Sequence, residues 1–116
     1  MIDERKMNFL KIARACARVR GMSKLKLNDI DISVVCEVAN AEPDGLAVSE
    51  ICDLVSERDK TWVFRSIQRM QESGVLEKRA RYNPETKRSI SAYVLGAEAE
   101  SQITFWADIF DSTANL

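Results

Sequence analysis

At Gly74 the spacing of apolar residues changes from the helical period of 3.6 to the strand period of 2, and no other feature restricts the fold of this chain so strongly. Upstream, Val63, Ile67 and Met70 fall on one side of a helix predicted over residues 60–73. Asp59 is placed to cap its start and Gly74 to stop it. Downstream, Val75-Leu76-Glu77-Lys78-Arg79 and Ser89-Ile90-Ser91-Ala92-Tyr93-Val94-Leu95 read as two strands around a basic tip at residues 82–88. Arg79, Arg81, Lys87 and Arg88 are expected near that tip. A helix that runs straight into a β-hairpin leaves few arrangements for what precedes it.

What precedes it is helical. Val48, Ile51, Cys52 and Val55 follow the i, i+3, i+4, i+7 pattern in barely two turns, and residues 56–59 lead into the longer, more basic helix. Two helices joined this tightly make a helix-turn-helix. Further upstream, Phe9, Ile12, Ala13, Cys16 and Val19 mark an amphipathic helix over residues 3–20, ended by Gly21. Asn28 caps the next helix, whose first turn holds Asp29 and Asp31 and whose buried stripe is expected at Ile32, Val35, Cys36 and Ala39. Glu42-Pro43-Asp44-Gly45 then breaks the chain. A last helix begins near Ala97, with Ala99, Ile103, Trp106 and Phe110 on one side and Phe105 and Ile109 widening that face. The expected fold is mainly α with a small β-hairpin wing (α+β): a winged helix-turn-helix in one domain of residues 1–116. Within it, residues 1–26 form an N-terminal helix and connector, 27–96 the core and 97–116 a C-terminal helix.

Composition narrows the function classes. A hydrophobic fraction of 46% with 30% charged residues belongs to a globular chain. No apolar run approaches the roughly 20 residues that cross a bilayer, so no membrane partner is expected. Acids stand at Asp3 and Glu4, where a secretory signal would be basic, and a cytoplasmic location follows as an expectation. The chain has no histidine and only three cysteines, Cys16, Cys36 and Cys52, widely spaced. A zinc site is therefore not expected, and each cysteine is read as a small buried hydrophobe on a helical stripe. Without a phosphate-binding glycine loop or a nucleophile beside a base, neither an enzyme nor a cofactor is expected.

The net charge of −1 conceals strong polarity along the chain. Residues 1–26 carry eight basic and two acidic side chains, and residues 27–59 one basic and nine acidic. Residues 60–93 carry eight basic and three acidic, and residues 94–116 four acids and no base. Local charge sets the potential a polyanion feels, so the third block remains a candidate phosphate-tracking face.

Advancing 100° per residue along residues 60–73 sends Thr61, Arg65 and Gln68 outward, with Trp62, Phe64 and Arg69 on the flanks. A guanidinium, an amide and a hydroxyl are the groups that match base edges in the major groove. Lys60 and the helix start are placed for phosphate. Trp62 and Phe64 either contact sugar and thymine methyls or pack against the wing or the preceding helix, and their large apolar area favours packing. The candidate DNA-binding set is thus Lys60, Thr61, Trp62, Phe64, Arg65, Gln68, Arg69, Arg81, Lys87 and Arg88.

Residues 46–95, about 50 of 116, resemble the DNA-binding core of MarR-type regulators. Leu46-Ala47-Val48-Ser49-Glu50-Ile51-Cys52 is similar to their first helix-turn-helix element, although Ala47 stands where a capping hydroxyl is usual. Asp59-Lys60-Thr61-Trp62-Val63-Phe64-Arg65 and Arg69-Met70-Gln71-Glu72-Ser73-Gly74-Val75-Leu76 are similar to their recognition helix and its exit, and Thr86-Lys87-Arg88-Ser89-Ile90 to the end of their wing. The resemblance implies a sequence-specific regulator of transcription that binds double-stranded DNA, most often a repressor that occludes polymerase, with Arg88 as the wing arginine. It also implies a homodimer built from the terminal helices, here through Phe9, Ile103, Phe105, Trp106, Ile109 and Phe110, and makes Cys16 the first candidate for redox sensing. The apolar C-terminal residues exceed what one small domain needs to cover a last helix, which supports a dimer independently. A winged helix that binds protein in a larger assembly, and a replication or partition protein of a plasmid or virus, are the competing readings. Operator, target genes and any small-molecule effector are not specified by the sequence.

Overall fold

The computed structural model describes residues 3–22 and 26–114, which form five helices and one antiparallel hairpin in the order α1 (Glu4–Met22), α2 (Asp29–Asn40), α3 (Val48–Leu54), α4 (Lys60–Glu72), β1 (Leu76–Asn83), β2 (Arg88–Leu95) and α5 (Ala97–Ala114). The fold is the expected α+β winged helix-turn-helix. The chain divides into two compact units, Leu27–Ala99 and the terminal segments Met1–Lys26 with Glu100–Leu116.

In the central unit, α2 starts on a reciprocal cap. The Asn28 side chain accepts from the Asp31 backbone N–H at 2.8 Å, and Asp31 accepts from the Asn28 N–H at 3.0 Å. That cap turns Asp31 inward, so the buried stripe is Asp31, Val34, Val35 and Val38; of the expected Ile32, Val35, Cys36 and Ala39, only Val35 belongs to it. Cys36 and Ala39 are exposed and Ile32 half-buried, because the helix must present Asp31 to α4. On α4, Val63, Ile67 and Met70 are buried as the period requires, joined by Ser66. Ile51, Cys52 and Val55 close the core from α3 and its end, and Val75, Leu76, Ala92, Tyr93 and Val94 from the base of the hairpin.

The hairpin pairs from Leu76↔Leu95 to Asn83↔Arg88, longer than the sequence indicates, so its tip is only residues 84–87. Arg79 and Arg81 consequently lie within β1, not near the tip. Burial is confined to the base, and the distal half of the hairpin projects without core support. A third backbone segment joins at Leu46, which exchanges hydrogen bonds of 3.0 and 2.7 Å with Tyr93. Gly45 makes this approach possible: its φ is +74°, and a Cβ there would lie 2.4 Å from the Tyr93 carbonyl oxygen. Gly45→Ala is therefore expected to destabilise the chain by about 2 kcal/mol in urea unfolding. A loss under about 0.5 kcal/mol would mean that the Leu46–Tyr93 bridge is not needed.

In the terminal unit α1 continues through Gly21 to Met22, since a glycine without a following breaker does not end a helix already formed. Its apolar stripe is largely uncovered. Phe9 is 68% exposed and Ile12 50%, Ala13 and Cys16 are exposed, Val19 is half-buried, and Ala15 is the buried residue. On the α5 portion of this unit the buried positions are Gln102, Ile109 and Thr113. Arg18 donates to the Thr113 hydroxyl at 3.2 Å, which turns the Thr113 side of α5 inward. Ile103, Trp106 and Phe110 are accordingly only half-buried, and Phe105 is 39% exposed. Of the three cysteines expected in the core, only Cys52 is buried.

Candidate nucleic-acid interface

The outward face of α4 is held from both ends of the helix. Asp59 accepts from the Thr61 N–H at 2.9 Å, and the chain leaves through Gly74 at φ +84°. Between them Thr61, Arg65 and Gln68 are all exposed on the side opposite Val63, Ile67 and Met70. Trp62 and Phe64 are each 51% exposed, so the packing expected for them is not made. Neighbouring α3 is too short and the hairpin leaves the far end of α4, so neither covers them. Trp62 instead lies under the Arg65 guanidinium, 5.2 Å from ring centroid to Cζ.

Three of the expected cations are tied into the protein. Lys60 donates to the Val55 carbonyl at 3.0 Å, at the C-terminal end of α3. The Arg69 guanidinium bonds the Asp31 carboxylate, yet its side chain remains 53% exposed. Arg81 bridges the Gly45 carbonyl at 3.0 Å and Glu50 at 2.8 Å, pinning β1 to the start of α3. Glu50 also accepts from the Ala47 N–H at 2.8 Å, which supplies the helix start with a partner that the methyl side chain of Ala47 lacks. That backbone N–H first, and the Arg81 guanidinium after it, hold the Glu50 carboxyl below its usual range against an opposing push from burial. A lowered acid stabilises the fold above its unfolded pKa, so this link weakens as pH falls through the lowered value. Lys87 and Arg88 stay exposed at the end of the hairpin, where Lys87 has φ +57°.

The structure thus brings Thr61, Trp62, Phe64, Arg65 and Gln68 together on one helix and sets Lys87 and Arg88 on a projecting hairpin. It diverts Lys60 and Arg81 to internal contacts. Two residues that the sequence reading did not single out matter here, Asp31 and Ser66. The Ser66 hydroxyl donates to Asp31 at 2.5 Å, and both are buried. The one local signal was the capping position of Asp31, which says nothing of α4.

A helix-turn-helix whose second helix presents polar groups outward and passes into a two-stranded wing is the architecture of MarR-like winged-helix regulators. No family model matches the chain, and no curated protein is recognisably similar to it in sequence. Among solved structures it is similar to MarR, with a TM-score of 0.60 at 20% identity over 95% of this chain and 77% of that one. It is similar also to BpsR of Bordetella bronchiseptica, a protein whose DNA binding is regulated by 6-hydroxynicotinic acid, with a TM-score of 0.52 at 14% identity over 97% and 79% of the two chains. These likenesses establish the MarR-like fold. Among the described residues no helix is long and apolar enough to cross a membrane, and no cluster of side chains could hold a metal.

Proposed function

We propose that this chain is a sequence-specific regulator of transcription that binds double-stranded DNA as a homodimer, with α4 in the major groove and the hairpin against the backbone or minor groove. The observation that carries the reading is the exposed row of Thr61, Arg65 and Gln68 on α4, with Lys87 and Arg88 exposed on the wing that follows it. One face then offers base-edge donors and acceptors while a separate element offers phosphate contacts. Repression by occlusion of a promoter is the mode this reading implies, because a dimer seated through α4 and the wing covers the duplex it binds. The dimer is assigned to the terminal helices. Phe9, Leu10 and Ile12 on α1 and Phe105 on α5 are uncovered in the single chain, and α1 is basic where α5 is acidic.

Two measurements test this. Affinity for random duplex DNA is expected to fall steeply and linearly in log Kd against log salt. Sedimentation is expected to give a two-chain species at micromolar concentration, converted to single chains by Phe9→Glu with Phe105→Glu. A protein that stays monomeric in the wild type sinks the dimer, and one that shows no salt-dependent duplex binding favours a protein-binding role for the wing.

A further inference from the structure

The Asp31 carboxylate is 1% exposed, and both its oxygens are engaged. One accepts from the Asn28 backbone N–H, while the other accepts from the Ser66 hydroxyl and from an Arg69 terminal nitrogen. A carboxylate gripped by a helix start and a buried hydroxyl cannot swing toward solvent, so it is a fixed anchor. Arg69 reaches it from the surface. Its side chain stays 53% exposed, and a guanidinium has five N–H donors, of which this contact engages one terminal nitrogen. Four residues along the helix from Arg65, Arg69 stands about 40° round from it, on the flank and not on the outward midline. When a helix lies in a groove, its flanks face the strand backbones.

We infer that Asp31 is a positioning residue for DNA: it holds the Arg69 guanidinium on the flank of α4 so that its outer N–H groups meet a backbone phosphate. The inference rests on the proposed function and adds to it a bridged contact, carboxylate to guanidinium to phosphate, that no other exposed cation of α4 makes. The planar fork of arginine serves both partners at once, whereas a lysine ammonium is a point charge on a flexible stem. Because Asp31 offsets the charge of Arg69, the salt slope is a poor readout. Ethylation interference is direct.

The probe is a duplex selected by the full chain from a random-sequence library and ethylated at single phosphates. In the wild type, ethylation of at least one phosphate is expected to weaken binding about tenfold. With Arg69→Ala that phosphate should become indifferent while the others keep their effects. Arg69→Lys should not restore it, and Asp31→Asn, assayed where it is folded, should blunt it. An interference pattern unchanged by Arg69→Ala, with only the unfolding midpoint lowered, overturns the inference, as does a wild-type pattern in folded Asp31→Asn. If Arg88→Ala still lowers the salt slope in that case, the DNA-binding reading stands without the bridge. Absence of salt-dependent duplex binding in the wild type overturns both.

Discussion

Asp31→Ala is expected to destabilise the protein by about 3 kcal/mol in urea unfolding, although position 31 lies in the polar first turn of a helix. Three groups lose their acceptor. The start of α2 loses half of its reciprocal cap, a loss of about 1 kcal/mol. The Ser66 hydroxyl, 2% exposed, is left without its partner in the core, at about 1 to 3 kcal/mol. Arg69 turns to water at little cost, being half exposed already. Against this, removing a buried carboxylate relieves its own desolvation, which keeps the total below the sum. A double-mutant cycle checks the attribution. Asp31→Ala in a Ser66→Ala background should cost about 1 kcal/mol less than in the wild type, because no buried hydroxyl then remains to be orphaned. Additive effects would place the Ser66 hydroxyl elsewhere, and a loss under about 1 kcal/mol for Asp31→Ala alone would mean that Asp31 does not anchor α4 to α2.

Arg65→Ala is expected to weaken binding to a selected duplex by about 1 to 3 kcal/mol, up to roughly a hundredfold, and to leave binding to random duplex nearly unchanged. Arg65 is exposed on the outward midline of α4, and its guanidinium rests on Trp62, so its direction is restrained before DNA arrives. A lost base-edge contact removes discrimination more than attraction. Arg88→Ala provides the contrast: at the end of the projecting hairpin it should weaken selected and random duplexes by similar factors and reduce the slope of log Kd against log salt by about one unit. Titrations of both variants against both duplexes at several salt concentrations separate the two roles. Equal losses on both duplexes for Arg65→Ala would move Arg65 from base edge to backbone, and no loss for either variant would take α4 and the wing away from DNA.

Local pattern was a good guide wherever one element's own residues decide the outcome. The inward side of α4, the caps at Asn28 and Asp59, the stop at Gly74 and the change of period after it follow from dihedral preferences and from one face meeting the core. The candidate site was legible to the same depth. Thr61, Arg65 and Gln68 are outward because Val63, Ile67 and Met70 are inward, and exposure of one face is the complement of burial of the other. The packing expected for Trp62 and Phe64 failed for a different reason: an aromatic side chain is buried only if some other element reaches it, and no local spacing records that.

By itself, then, the sequence determined the order of the elements, the helix-turn-helix, the wing and the polar face of α4, all properties of the chain over a few residues at a time. The tertiary structure decided which cations remain available and which face of α2 turns inward. Arg69 finds Asp31 across 38 residues of chain, and Arg81 finds Gly45 across 36. Such pairings depend on how α2, α3, α4 and β1 are packed, because a charged side chain takes whichever partner the fold brings within hydrogen-bonding distance. Asp31 is the case in point: its place in the first turn of α2 made it a cap, and only the approach of α4 made it a buried anchor as well.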